Sequence, residues 1–145
     1  MADLLNCLVM LPFGLADAAA APSTPVALVP GYGAGTPDAT DVDGFVMPKA
    51  GAIVGVTIMG KPTQSGDNAS VQVYKNGTAV AGTVVANAYN AGSEAGASAV
   101  LSKDTAALQF KAGDIIQVQY TTVTGGTYGV RDLAAQVIVQ LGLSE

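Results

Sequence analysis

The chain has 145 residues, enough for one domain with a real core, and a net charge of −5; its six Lys and Arg are scattered singly, so no basic face exists to neutralise phosphates and nucleic acid is not expected as a partner. Half of the residues are apolar but only 6% are aromatic, and charged residues are 12%, about half the usual share, so much of the surface is uncharged, as suits a protein covered by partners. There is no His, and Cys7 is the lone cysteine, which argues against a zinc site, an internal disulfide and any His-activated nucleophile; Cys7 itself reads as a small buried apolar residue.

Residues 1 to 43 read as an N-terminal arm and connector. Leu4, Leu8 and Leu11 share one face if residues 2 to 11 are helical, and Pro12 ends that helix. Asp3 stands where a secretory leader carries basic residues, so the segment reads as a retained arm. Its apolar run is too short to span a bilayer and is broken by Pro12 and Gly14, so no membrane is expected. Residues 22 to 43 are rich in Pro, Gly, Thr and Asp, with one short strand expected at 26 to 29.

From residue 44 to 145 the pattern changes to strand-like runs separated by turn clusters. The runs are GFVM, AIVGVTIM, SVQVY, TAVAGTVV, SAVL, AALQF, DIIQVQYTTV and AAQVIVQL. About eight short strands without a convincing helix predict an all-β fold, an antiparallel jelly-roll-like β-sandwich. Within VQVYKNGTAVAG the dipeptide Asn76-Gly77 fits a type I′ hairpin turn, whose two central residues both need positive φ. In the last run Val137, Val139 and Leu141 fall on one side and Gln136 and Gln140 on the other; Ile116, Val118 and Tyr120 likewise oppose Gln117 and Gln119. Free surfaces favour Lys and Glu, so Gln on an outer face points to a face that meets other protein.

The order FVMPKAGAIVGVTI, VQVYKNGTAV, LQFKAGDIIQVQYTT, AAQVIVQL resembles the compact jelly-roll modules of tailed-phage virions, loosely C1q/TNF-like in pattern. The features that carry it are Pro48-Lys49-Ala50-Gly51 leading into a strand, the hairpin at Asn76 and Gly77, the turn ending in Gly113 and Asp114, and a closing C-terminal strand; it covers residues 44 to 142. Such modules are distal domains of fibres or free-standing decoration (cement) proteins that clamp the capsid, and a short apolar arm without a repetitive stalk is more like the latter. The resemblance implies a structural virion protein on the capsid surface, made in the host cytoplasm, with the major capsid protein as partner. It also implies a homo-oligomer, a trimer in preference to a dimer. The alternative is a receptor- or carbohydrate-binding head of a fibre, for which the chain offers five Tyr and no Trp.

Enzymatic motifs fail on inspection, and no enzyme activity and no cofactor are expected. Residues 55 to 61 fit the first positions of a phosphate-binding loop, but Pro62 stands where Ser or Thr must reach magnesium, and the stretch reads as an apolar strand. GYGAGT at 31 to 36 lacks the last glycine of a dinucleotide fingerprint and reads as connector. Asp38, Asp41 and Asp43 hint at a hard cation, but Ala39 and Ala50 occupy the first and last ligand positions of a calcium loop, so a solvated acidic loop is favoured. The partner-binding residues expected are the apolar ones of the arm, Leu4, Leu5, Leu8, Val9, Met10, Leu11 and Phe13. The arm either packs back on its own sandwich or reaches across to a neighbour, and the second is favoured because an extended Pro/Gly-rich connector spans tens of ångströms at about 3.1 Å per residue.

Overall fold

The computed structural model describes residues 7–15, 26–31, 43–62, 68–88, 95–122 and 130–142. Among them are twelve strands, seven of four residues or more, and a single 3-10 turn at Ala106–Leu108. The strands are β1 (Cys7–Leu15), β2 (Val26–Ala27), β3 (Val29–Pro30), β4 (Phe45–Val46), β5 (Gly51–Pro62), β6 (Asn68–Lys75), β7 (Thr78–Ala79), β8 (Val85–Ala88), β9 (Ala95–Val100), β10 (Gln109–Phe110), β11 (Ile115–Thr122) and β12 (Val130–Leu141). They form two antiparallel sheets. The first runs β10-β5-β12-β1-β3 with β9 also on β5; the second runs β2-β11-β6-β7 with β4 on β11 and β8 on β6. The fold is an all-β, jelly-roll-like sandwich.

Alternation places the core between the sheets. Phe13 and Leu15 of β1, Val56 and Ile58 of β5, and Leu133, Val137 and Val139 of β12 face Val71 and Val73 of β6 and Ile116, Val118 and Tyr120 of β11, all buried. The β5–β12 register shifts between Ile138 and Val139, and this bulge lets both Ile53 and Val56 point inward although they are three residues apart. The expected faces of the last two long strands are observed, with one exception: Gln117 is buried.

The N-terminal segment differs from the expected helix. Cys7–Leu15 is a strand lying between β12 and β3, paired with β12 from Cys7↔Leu141 to Leu15↔Leu133. Period two replaces the helical period, so Leu8 and Leu11, expected on one face, lie on opposite faces; Leu8 and Met10 point to solvent while Leu11 and Phe13 enter the core. Pro12 is compatible with this because its carbonyl, and with it the side on which its N–H is missing, points towards Gly31 at the end of β3 rather than into the β12 ladder. In this described part, the arm packs on its own sandwich. Cys7, expected buried, is exposed at the start of the strand.

The connector also takes part. The short strand expected at 26 to 29 is two strands with a change of sheet between them: β2 pairs with β11 and β3 with β1. Leu28 sits at the crossing, fully buried, and its N–H donates to the Val118 carbonyl at 2.8 Å.

The hairpin turn is as expected. Asn76 has φ 50° and Gly77 φ 78°, both in the left-handed region. A Cβ on Gly77 would meet nothing within 4 Å, so a substitution there tests backbone strain alone. Gly77→Val is expected to lower stability by about 1–3 kcal/mol in a melting curve. After this turn the run continues as β7, a second turn with Gly82 at φ 79°, and β8. The buried Thr83 hydroxyl closes the gap between them, accepting from the Val73 N–H at 3.1 Å and donating to the Val80 carbonyl at 2.8 Å.

Candidate interaction faces

The charged residues with described side chains sit at turns and strand ends: Asp43, Lys49, Lys75, Lys103, Asp104, Lys111 and Asp114. Among the described side chains the middles of the long strands carry none, so the described parts of both outer faces are uncharged.

On the first sheet, register aligns the outward residues of β1, β12, β5 and β9 into rows. Met10 pairs with Ile138, Ile138 with Gly55 and Gly55 with Val100; Pro12, Gln136, Thr57 and Ser98 form the next row; Gly14, Ala134, Met59 and Gly96 form the third. Four large apolar side chains stand in solvent there: Leu8 at 65% exposure, Met10 at 63%, Met59 at 54% and Val100 at 93%. Beside them lies a shallow hollow of about 390 Å³, lined among others by Thr57, Met59, Gly96, Ser98, Ala134 and Gln136. In soluble proteins generally, contiguous exposed apolar patches tend to coincide with contact surfaces.

The second sheet presents Ser70, Gln72 and Tyr74 on β6 beside Gln117 and Gln119 on β11, with Gln72 opposite Gln119 and Tyr74 opposite Gln117. Here the expectation that Gln marks an outer face meeting other protein fails for one residue. Gln117 is covered by its own chain: its Oε1 accepts the Gly77 N–H at 2.9 Å, and the Gly44 backbone lies so close that a Cβ there would come within 2.7 Å of Gln117 Cγ.

The residues expected at structural turns form one hydrogen-bonded staple between the hairpin and the start of β11. Asn76 Nδ2 donates to Asp114 Oδ1 and Asn76 Oδ1 accepts the Ile115 N–H, both at 2.8 Å, while Asp114 Oδ2 accepts the Lys111 N–H at 2.8 Å across the turn in which Gly113 has φ 89°. The Lys111 N–H first, and then the Asn76 amide, hold the Asp114 carboxyl below its usual 3.8. A depressed carboxyl contributes stability that is complete above the unfolded value and is lost as the pH falls through the lower folded value. The melting temperatures of the wild-type chain and of Asp114→Asn are therefore expected to differ most near neutrality and to converge as the pH falls below the usual carboxyl value of 3.8 and through the lower folded one.

Of the arm residues expected to bind a partner, Leu8 and Met10 are exposed on the first-sheet face, Val9 is half-buried, and Leu11 and Phe13 belong to the core; Leu4 and Leu5 lie outside the described residues. Asp38 and Asp41 also lie outside them, as does most of GYGAGT, and Asp43 is exposed. Among the described residues no three His, Cys, Asp or Glu gather as a metal site, and no helix is long and apolar enough to cross a membrane. The apolar residues contributed to the first-sheet face by β5 and β9, Met59 and Val100, were not singled out from the sequence. The signal lay in their position opposite the inward residues of the same strands.

No protein-family model matches the chain, and no curated protein matches it. Among solved structures it is similar to a chain in the structure of infectious bursal disease virus, Gx strain, with a TM-score of 0.50 and 14% sequence identity. The match covers 94% of this chain and 32% of that one, so this chain spans about a third of the length of the protein that it resembles. At this identity the likeness is one of fold.

Proposed function

We propose that this chain is a non-enzymatic structural protein of a virion, and within that class a decoration protein of a tailed-phage capsid. It would lie on the outer surface of the head, bind the major capsid protein as a homo-oligomer and bridge neighbouring capsomers. The observation that carries the reading is the distribution of charge: every charged residue with a described side chain sits at a turn or strand end, and the described middles of both broad faces carry none. A bridging protein needs two contact surfaces that lose little on desolvation, and uncharged faces meet that need. The fold likeness to a chain in a virus structure agrees with it. Contact with the capsid is assigned to the segment carrying Leu4 and Leu5 ahead of β1 and to the second-sheet face of Gln72, Tyr74 and Gln119. Added interface area across capsomers would oppose the outward pressure of packaged DNA.

The fibre-head alternative needs exposed aromatics to stack on sugar rings. Among the described residues Tyr120 is buried and Tyr74 half-buried, which leaves that reading second. Co-sedimentation of the purified chain with DNA-filled heads stripped of it distinguishes the two. Saturable binding to heads at a fixed ratio to the capsid protein is expected. Failure to bind heads, with binding to host cells or cell-surface glycans instead, would establish the alternative.

A further inference from the structure

The first-sheet outer face has a property that a generic sticky patch lacks: it is complementary to itself. On each of its four strands a large or branched outward residue stands four positions from a small one. The pairs are Met10 and Gly14 on β1, Ala134 and Ile138 on β12, Gly55 and Met59 on β5, and Gly96 and Val100 on β9. Register places the midpoints of all four pairs in one row across the sheet, Pro12, Gln136, Thr57 and Ser98. We infer that this face is the contact between two copies of this chain, related by a two-fold axis lying over that row.

A half-turn about such an axis reverses the strands and sets β1 on β1, β12 on β12, β5 on β5 and β9 on β9, as an isologous interface requires. Met10 then faces the partner's Gly14 and Val100 the partner's Gly96. Ile138 faces Ala134, so the branched side chains of one copy enter the hollow of about 390 Å³ on the other. Met59 comes over Gly55 and against Ile138, whose Cδ1 already leans to within 3.2 Å of where a Gly55 Cβ would be. On the axis row Gln136, Thr57 and Ser98 meet their own counterparts, each of them both donor and acceptor, and so able to bond to itself.

Charge favours a second copy over an unrelated occupant. At a net −5, two copies repel unless they meet where charge is absent, and this face presents no charged side chain among its described rows. The area is also adequate. Four strands about 4.8 Å apart and seven residues long at about 3.3 Å each give roughly 440 Å² of flat face per copy. Two copies with side-chain relief therefore reach the roughly 1,000 Å² at which specific interfaces begin. The contact is two-fold and gives a dimer rather than a trimer. It does not depend on the virion reading.

Sedimentation analysis of the full chain tests it. The wild-type chain is expected to be a dimer at about 100 μM, and V100D and M59K are each expected to weaken the dimer by at least roughly 30-fold, since each buries two unpaired charges at a closed contact. The far-UV circular dichroism spectrum should not change, and V100D in particular cannot disturb the single chain, because Val100 is 93% exposed. In a C7S background, which removes the exposed thiol, S98C lies on the axis with facing strands about 10 Å apart, and a short bismaleimide should link two chains. A monomeric wild-type chain, a trimer, an oligomer untouched by both charged variants, or no crosslink at S98C overturns the inference.

Discussion

A chain lacking residues 2 to 13 is expected to lose its cooperative melting transition. The deletion removes all of β1 except Gly14 and Leu15, and with it the strand between β12 and β3. Two core side chains go, Leu11 at about 2–5 kcal/mol and Phe13 at about 3–5 kcal/mol, and the inner edge of β12 is laid bare. A domain of this size is stable by about 5–15 kcal/mol in all, so the loss approaches or exceeds the whole. The truncated protein should bind hydrophobic dye and show no sigmoidal melt. This reverses what an arm reaching to a neighbour would predict, which is a truncated but folded sandwich.

Phe13→Ala is the second large effect expected. The Phe13 ring is 2% exposed and meets Phe45 of β4 edge to face, with centroids 5.3 Å apart and planes at 86°, so it ties the first sheet to the second. Truncation should cost about 3–5 kcal/mol, while Met10→Ala, three residues away on the opposite face, should stay within about 0.5 kcal/mol when both are measured in the V100D background, in which the chain is monomeric. A helix would place residues 10 and 13 on one face and make the two losses similar. The pair of melting curves therefore reports the period of this segment directly.

Turn chemistry and alternation made most of the sandwich legible. Asn76-Gly77 and Gly113 announce positive φ by residue type, and Val137, Val139, Ile116 and Val118 announce their faces by period two. Two features were hidden. CLVMLPFGL is apolar on both strand faces, because one lines the core and the other is an exposed apolar patch; a run without alternation has no period-two signal to read, and Pro12 was read as the end of a helix. Leu28 looks like the middle of one short strand, and only the two sheets' hydrogen-bond ladders reveal that the chain changes partners there. The candidate site was half legible. Leu8 and Met10 were singled out as partner-binding, but their neighbours Met59 and Val100 come from strands distant in sequence, and only register brings the four onto one face. Gln117 was assigned to an outer face because alternation gives a side chain's direction and says nothing of what lies above it; here the hairpin turn and Gly44 do.

The virion reading is tested most directly by cryo-electron microscopy of particles from the source that encodes this chain, with the same particles lacking it as control. Density for the sandwich is expected on the outside of the head, repeated with capsid symmetry across capsomer boundaries and missing from the control. Density at a fibre tip, or particles identical with and without the chain, would contradict it.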